Sequence, residues 1–437
     1  MLRRLDLRGP LGDLRAVLPR PTTGGDGPLN AVRGIIADVR ERGDTALREL
    51  TARFDGVDLE TVVVDPADVA SAPARIDPAV LGALEVAAAA IRRHHEGQLR
   101  AEHRTDDDGL CVRSLSRPVE RAGCYAPGGR AAYPSTVLMT VVPARVAGVE
   151  VVVLCVPPGP DGRVADATLA AAAVAGVDAV YAVGGAQAVA AMAYGTASIP
   201  AVDVIAGPGN VYVALAKREV AGQVGVPSAF AGPSEVVVVA DATVPPEFAA
   251  IDVVAQAEHG PDGLAWLVTW DEAVSEAVEA EVVRIAEAAP RRSDITATLA
   301  ASGWSVLVDG PEEALAIADA IAPEHLQLMV ADAGDMAERV RNAGAVFCGP
   351  WSPASLGDYV AGPSHVLPTA GTARFAGALT VSDFTRDIHL ITADRPALLR
   401  LAPHVVALAG AEGLDAHAES VRLRTAWTDG SDGSDDG

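Results

Sequence analysis

The sequence predicts an α/β protein with two Rossmann-like domains, incomplete and doubly wound, together with a small N-terminal arm and a C-terminal helical domain. Its 437 residues exceed the length of one ordinary domain, and 50% of them are hydrophobic. Beyond about residue 150, short apolar segments alternate with segments of helical periodicity, which is typical of parallel sheets covered by helices. Several loops after predicted strands are rich in glycine, as in folds that bind ligands there.

The chain begins with an arm and two helices. Residues 1–25 contain scattered leucines interrupted by proline-containing turns, so they are expected to form an arm that packs on another element. Residues 29–54 place apolar side chains at helical spacing through Gly43, and residues 78–101 repeat that spacing. Two long helices are therefore expected to open the first globular unit.

Predicted strands follow. Residues 112–123 alternate between apolar and polar side chains and predict one strand. The later candidates are apolar on both faces, and their number fits two sheets better than one. These later candidates are residues 150–156, 178–183, 202–206, 235–240, 264–269, 305–308, 326–330 and 345–348.

Three glycine-rich loops lie at the ends of predicted strands, at residues 184–187, 207–210 and 231–234. Their backbone N–H groups suit an anionic pyrophosphate, although simple turn glycines are an equally good explanation of any one loop. No G-x-G-x-x-G fingerprint with a following ribose-binding acid is present, so the loops alone do not identify a dinucleotide site. Beyond Phe384 the alternation stops, and residues 396–426 predict one or two helices.

Composition excludes several classes of protein. A formal net charge of −24 repels phosphate backbones and anionic lipids, which argues against a nucleic-acid-binding or membrane-surface protein. No segment predicts a signal peptide or a membrane-spanning helix. The four cysteines lack C-x-x-C spacing and are interpreted as free thiols in a reducing cytoplasm.

The segment 253–262 predicts a helix end that carries chemistry, since its Gly-Pro pair stops a helix. Gln256 and His259 are three residues apart, so on a helix they share a face and can point at one atom. Glu258 is rotated away from both. The alternative is an ordinary C-terminal turn whose histidine caps backbone carbonyls.

Glu324 and His325 stand side by side before a predicted strand, where adjacent side chains point apart. This arrangement suits two separate roles, an imidazole base and a carboxylate that activates water, with a surface Glu-His pair as the alternative. Asp358 and His365 lie in a Gly/Pro-rich segment, residues 356–365, that is expected to form no regular element. Polar residues on such loops are more often functional than those in the core.

Glu412 and His417 flank a predicted helix start, where His417 alone is typical of a solvated helix residue. Taken together, four candidate residues offer the oxygen and nitrogen ligands that suit a divalent metal, with Zn²⁺ favoured. The set is Gln256, His259, Asp358 and His417. The residues by themselves therefore indicate a candidate metal enzyme on a nucleotide-binding type of scaffold.

Several long stretches match one family. They are CYAPGGRAAYPSTVLM (124–139), GGAQAVAAMAYGT (184–196), GPGNVYVALAKR (207–218), AGPSE (231–235), AQAEHGPD (255–262), APEHL (322–326), GDYVAG (357–362), HVLPTAGTARF (365–375) and EGLDAH (412–417). In these stretches the chain resembles the histidinol dehydrogenases. The resemblance extends from the first helix to about Arg424 and does not depend on one short motif.

The resemblance implies NAD-dependent four-electron oxidation of L-histidinol to L-histidine through bound L-histidinal, the last steps of histidine biosynthesis. It implies a cytoplasmic homodimer with shared active sites and one Zn²⁺ per subunit, held by Gln256, His259 and Asp358 of one subunit and by His417 of the partner subunit. The implied NAD contacts are Tyr125, Gln187 and Asn210. The implied substrate contacts are Ser234, Gln256, His259, His325, Asp358, His365, Glu412 and His417.

The same resemblance implies domain boundaries. Zinc and the catalytic residues would belong to a discontinuous domain, residues 26–123 and 236–380, and residues 124–235 would form the NAD-binding domain. Residues 381–427 would form a small domain that contributes to the partner subunit's site. The acidic tail, residues 428–437, has no apolar side chain to bury and is expected to be disordered.

In the mechanism that the resemblance implies, zinc holds the substrate through its imidazole and amino nitrogens, His325 is the general base, and Glu324 activates water. The chain departs from the family pattern at four places, none of which is a named ligand or catalytic residue. They are 227–230, Ala354, Ser364 and 385–389. Alternatives are a family member acting on another small alcohol such as a sulfonated diol, a zinc hydrolase, and a metal-binding structural protein.

Overall fold

The computed structural model describes residues 1–10, 12–19, 27–128, 132–227, 234–258, 260 and 263–427. The predicted disordered tail, 428–437, and most of the arm's last residues lie outside these ranges. The chain divides into two compact units. The larger unit comprises residues 1–99 and 119–384, and the smaller unit comprises residues 100–118 and the chain from 385 onward.

The elements have the following bounds. The strands are β1 (Arg3–Asp6), β2 (His103–Asp107), β3 (Leu110–Pro118), β4 (Arg121–Tyr125), β5 (Val151–Val156), β6 (Ala179–Ala182), β7 (Val204–Ala206), β8 (Glu235–Ala240), β9 (Leu264–Thr269), β10 (Gly303–Leu307), β11 (His325–Met329), β12 (Ala345–Cys348) and β13 (Thr385–Ala393). The helices are α1 (Leu14–Val17), α2 (Gly27–Arg42), α3 (Asp44–Asp55), α4 (Pro66–Ser71), α5 (Pro78–Glu96), α6 (Pro134–Ala147), α7 (Asp166–Ala175), α8 (Gly185–Tyr194), α9 (Val211–Val220), α10 (Pro246–Ala257), α11 (Glu272–Ala288), α12 (Arg292–Ser302), α13 (Pro311–Ile321), α14 (Ala333–Ala337), α15 (Ala354–Tyr359), α16 (Arg395–Ala411) and α17 (Asp415–Ala426).

Two parallel sheets form the larger unit, which confirms the predicted α/β class. One sheet has six strands in the order β1-β10-β9-β8-β11-β12, and the other has four in the order β6-β5-β4-β7. Neighbouring strands in both sheets run parallel. The strand order reverses between β8 and β11 in the first sheet and between β4 and β7 in the second. Doubly wound folds bind ligands at such points of reversal.

Both faces of the six-stranded sheet are buried, as strand β8 illustrates. Val237 and Val239 pack with Trp266 on one face, whereas Val236 and Val238 pack against α10 on the other. Successive side chains of a strand point to opposite faces, so a strand covered on both sides must be apolar at nearly every position. This is why β8 lacks the alternation of a half-exposed strand.

The arm and the first helix differ in detail from the prediction. Residues 3–6 form strand β1, which adds to the edge of the six-stranded sheet beside β10. The predicted helix 29–54 is two helices, because Gly43 adopts φ 54° between α2 and α3. Only glycine takes that conformation at little cost, so the chain turns there. Every helix in the described ranges is too short or too polar to span a membrane.

The smaller unit contains an antiparallel sheet in the order β13-β3-β2 and the helices α16 and α17. Two predictions are wrong here. The alternation was expected to stop beyond Phe384, yet β13 pairs along its whole length with β3. Residues 112–123 were expected to form one strand, yet they contribute to β3 and β4 in different sheets. The domain boundaries implied by the family resemblance stay a prediction.

Candidate active site

Glu324 is a buried carboxylate held by two donors. It is 7% exposed and lies directly before β11, while Ser234 and Glu235 lie at the start of the neighbouring strand β8. The Ser234 hydroxyl donates to Oε2 of Glu324 at 2.5 Å, and the Glu235 N–H donates to the same oxygen at 3.1 Å. Burial raises the pKa of Glu324, whereas His325 and these donors lower it. The carboxylate is therefore poised to exchange a proton.

His325 opens β11 and is 6% exposed. Its Nε2 lies 3.4 Å from Oδ1 of Asp358, and its Nδ1 lies 3.8 Å from Oε2 of Glu324. Burial lowers the pKa of the imidazole, but the two carboxylates outweigh burial and raise the pKa to about 9. The side chains of Glu324 and His325 do not bond to each other, which agrees with two separate roles.

Asp358 and His365 are linked through the backbone. The His365 Nδ1 lies 2.9 Å from the carbonyl oxygen of Asp358, and its Nε2 lies 3.2 Å from Oγ1 of Thr136. The segment around Asp358 was expected to be irregular, but Asp358 lies in the short helix α15. Of the residues that predicted irregular structure, Gly362 and Pro363 lie after the end of this helix, and Gly357 lies within it.

Gln256 lies in the last turn of α10, is 6% exposed, and has a buried Nε2 without a hydrogen-bond partner in the described part of the chain. Tyr359 is the last residue of α15. Burial is the main cause that raises the pKa of its hydroxyl, and the nearby negative charges of Asp358 and Glu258 raise it further. The ends of α10 and α15 are therefore near each other. Glu258 is exposed, in agreement with its predicted rotation away from Gln256. His259 lies outside the described residues.

The donor set suits a divalent metal in its chemistry, since it offers an amide, a carboxylate and imidazoles. No group of three or more His, Cys, Asp or Glu side chains that could hold a metal ion occurs within the described ranges. His259 falls in a gap of these ranges. Glu412 and His417 belong to the smaller unit, where both are exposed at the end of α16 and the start of α17. Among the described residues of the larger unit, the predicted ligands are Gln256 and Asp358.

A cavity of about 1320 Å³ lies beyond the carboxyl ends of the four-stranded sheet. It brings together the three predicted NAD contacts, Tyr125, Gln187 and Asn210. The Tyr125 hydroxyl accepts a hydrogen bond from Gly185 N–H at 3.1 Å, at the start of α8. Asn210 caps α9 by accepting from two backbone N–H groups. A cavity at a point of strand reversal, with two helix starts in its wall, fits a dinucleotide.

Two buried ionisable side chains near these sites were not predicted. Glu235 is 3% exposed, accepts from Gly371 N–H at 3.3 Å, and has its pKa raised to about 8 by burial. Lys217 is 2% exposed, donates to the carbonyl oxygen of Gly207, and has its pKa lowered to about 8 by burial. The sequence contained a signal for each residue. Glu235 is an acid at the start of an otherwise apolar strand, and Lys217 is the only lysine of the chain.

The departures from the family pattern leave this site intact where they are described. Ser364 is buried, donates to the carbonyl oxygen of Met139 at 3.0 Å and accepts from Val366 N–H at 3.2 Å. Ala354 is the first residue of α15. Phe230 lies outside the described residues.

Comparison with known proteins identifies the family of this chain. The family model described as histidinol dehydrogenase matches residues 19–425. The histidinol dehydrogenase of Synechococcus sp. is 48% identical over 397 residues, covering 90% of this chain and 91% of that protein. That of Streptomyces avermitilis is 45% identical over 436 residues, covering 98% of this chain and 99% of that protein.

A solved structure has the same fold. The crystal structure of histidinol dehydrogenase from Elizabethkingia anophelis aligns with a TM-score of 0.92 and 33% sequence identity, covering 97% of this chain and 98% of that chain. The sequence and fold comparisons both extend over nearly the whole chain. The chain therefore belongs to the histidinol dehydrogenase family of oxidoreductases.

Proposed function

We propose that this protein oxidises L-histidinol to L-histidine through bound L-histidinal, transferring four electrons to two molecules of NAD in the last steps of histidine biosynthesis. The observation that carries the proposal is the buried pair Glu324 and His325, with the partly buried carboxylate of Asp358 lying 3.4 Å from the His325 imidazole. A base and a water-activating carboxylate are what the two oxidations require in turn.

His325 is the proposed general base that takes the hydroxyl proton in the alcohol oxidation. Its imidazole must be neutral for this role, whereas the neighbouring carboxylates raise its pKa to about 9 after opposing burial. With a divalent cation bound at Asp358, one of those negative charges would be offset and the pKa of His325 would fall towards neutrality. Metal binding and the readiness of the base are therefore coupled.

Glu324 is the proposed base for the aldehyde oxidation. It removes a proton from water, so that water adds to the aldehyde carbon and forms the hydrate that is oxidised to the acid. Ser234 and the Glu235 N–H fix the position of one carboxylate oxygen. Burial keeps the pKa of Glu324 above its usual range, which strengthens the carboxylate as a base near neutral pH.

We assign one Zn²⁺ per subunit to Gln256, His259 and Asp358 together with His417 of the partner subunit. When bound, zinc supplies a fixed template for the imidazole and amino nitrogens of the substrate. The remaining proposed substrate contacts are Ser234, His325, His365 and Glu412. Because His365 is tied to Thr136 and to the Asp358 carbonyl, its ring is held in one orientation.

We assign NAD to the cavity that contains Tyr125, Gln187 and Asn210. When bound, NAD supplies the hydride acceptor for both oxidations. The side chain of Asn210 is held by Tyr212 N–H and Val213 N–H, so its amide N–H₂ group remains for the cofactor. Tyr125 is buried and held by Gly185 N–H, which fixes the wall beside it.

We further propose a cytoplasmic homodimer in which the smaller unit completes the partner's site. This unit exposes large apolar side chains that a monomer would leave in water, and such patches mark protein interfaces. They are Ile388, Leu390, Ile391, Leu399, Val405, Leu408, Leu414, Leu423 and Trp427. The four cysteines are free thiols, which supports a reducing compartment.

The proposal is tested by adding histidinol and NAD to the purified, zinc-loaded enzyme and measuring the NADH that forms. We expect two NADH per histidinol and no free aldehyde captured by a semicarbazide trap. Absence of NADH with histidinol, or equal turnover of a sulfonated diol, would contradict the proposed substrate. Turnover in the absence of NAD would instead indicate a zinc hydrolase, and unchanged activity after complete removal of metal would indicate a structural metal.

A further inference from the structure

Asp55 lies in the wall of the cofactor cavity with an unused acceptor. It is the last residue of α3, and it lines the cavity together with Arg53 and Phe54. Its Oδ2 is buried, and no donor in the described part of the chain reaches it. Burial also raises the pKa of this carboxyl. A buried acceptor without a donor is unfavourable in the empty protein, and a ligand hydroxyl at this point would relieve it.

Asp55 is also near the residues assigned to NAD. Burial raises the pKa of Tyr125 to about 12, and the negative charge of Asp55 adds to that shift. The described lining of the cavity comes from residues 31–212 and includes neither Glu324 nor His325. The reactive nicotinamide must therefore extend out of the cavity towards those residues, which leaves the adenosine half of the dinucleotide inside.

We propose that Asp55 accepts hydrogen bonds from the hydroxyls of the adenosine ribose and that its negative charge excludes the 2′-phosphate of NADP. This inference rests on the proposed NAD-dependent function and deepens it. An acid on the ribose hydroxyls is the usual device for selecting NAD in doubly wound folds. Here the acid comes from the end of helix α3, in a chain that lacks the glycine fingerprint with its following acid.

The nearby Arg53 makes the negative charge of Asp55 important for the choice between NAD and NADP. Its guanidinium lies 5.1 Å from the centre of the Phe54 ring on the same wall of the cavity. An arginine beside the ribose is the group that accommodates a 2′-phosphate in NADP-dependent enzymes. With Asp55 present, the phosphate would meet a negative charge as well. Removing that charge should therefore weaken NAD binding and improve the use of NADP.

The test compares the wild-type enzyme with Asp55→Asn at saturating histidinol. We expect the KM for NAD to rise about tenfold with kcat changed less than threefold, and the ratio of kcat/KM for NADP to that for NAD to rise at least tenfold. Asp58→Asn is the matched control, since Asp58 is exposed, lies three residues after Asp55 and is not part of the described lining of the cavity. This control should change the KM for NAD less than twofold.

A measurement on the wild-type enzyme keeps the proposal testable if Asp55→Asn does not fold. Adenosine 5′-monophosphate and adenosine 2′,5′-bisphosphate are compared as inhibitors competitive with NAD, and the monophosphate should bind at least tenfold more tightly. Equal inhibition by the two would overturn the proposal, as would an unchanged KM and NADP ratio in a folded Asp55→Asn. A wild-type enzyme that forms no NADH at all would overturn the proposed function instead.

Discussion

The Ser234 hydroxyl donates a hydrogen bond of 2.5 Å to Oε2 of Glu324, joining residues at the amino ends of the adjacent strands β8 and β11. The backbone N–H of Glu235 donates to the same oxygen. Burial favours the protonated carboxyl, and the two donors favour the carboxylate. In the proposed role of Glu324, this balance would set the pH range over which the carboxylate activates water.

Glu324→Gln should slow aldehyde oxidation far more than alcohol oxidation. Glutamine keeps the size of the side chain and an acceptor for Ser234, but it cannot take a proton. We expect aldehyde oxidation to fall about 100-fold or more, the usual contribution of a general base, and alcohol oxidation to fall less than tenfold. Single-turnover measurements started separately with histidinol and with histidinal give the two rates. Equal slowing of both rates would refute the water-activating role.

Ser234→Ala should move the acidic limb of the aldehyde step to higher pH. Loss of the hydroxyl donor raises the pKa of Glu324 further. Because the active form is the carboxylate, the variant should begin to lose activity at a higher pH than the wild-type enzyme when the pH is lowered. We expect a shift of about one pH unit, corresponding to about 1.4 kcal/mol. Ser234→Thr retains the hydroxyl and should restore the wild-type limb. An unshifted limb in the alanine variant would show that Glu324 does not limit this step.

His417→Ala should remove zinc from the site of the partner subunit. The sharpest test mixes this variant with Gln256→Ala, each inactive as a homodimer. If His417 is exchanged, the heterodimer contains one site with both ligands, and activity should return to about half of the wild-type value per dimer, with one bound zinc by metal analysis. No recovery in a purified heterodimer would show that His417 serves its own subunit.

Asp252→Asn should stabilise the protein above pH 6. Burial raises the pKa of Asp252 to about 6 from an ordinary value of 3.8, and its Oδ2 lacks a partner within the described ranges. The folded state therefore holds the proton of Asp252 more tightly than the unfolded state does. The contribution of this difference to the free energy of unfolding is fully present below pH 3.8 and is lost as the pH rises through about 6. We expect the free energy of unfolding to increase by about 1–3 kcal/mol at pH 8.

Denaturant unfolding at pH 4 and pH 8 measures the effect of Asp252→Asn. Glu276→Gln is the control, because it removes the same charge from an exposed position of α11. An equal change at both pH values, or an equal change in the control, would show that burial of the Asp252 charge is not the cause.

Much of the fold was predictable from local pattern. The strands 235–240 and 264–269 have the predicted bounds, because a strand buried on both faces is apolar at nearly every position and such a run is visible in the sequence. Strand β13 was missed because eight of its nine residues are exposed and carry mixed side chains. Helix α15 was missed because it is only six residues long and is followed shortly afterwards by a glycine and a proline, which predict irregular structure.

By itself, the sequence determined the α/β class, the family and the neighbouring pair Glu324 and His325, because each of these depends on residues close together along the chain. Only the tertiary structure showed that Ser234, 90 positions before Glu324, holds its carboxylate, and that Asp358 lies 3.4 Å from His325. It also placed Asp55 in the wall of the cavity assigned to NAD, with a buried oxygen that no donor reaches among the described residues. Burial and the distances between charges depend on how distant segments pack, and they decide the pKa of each group and hence what it can do.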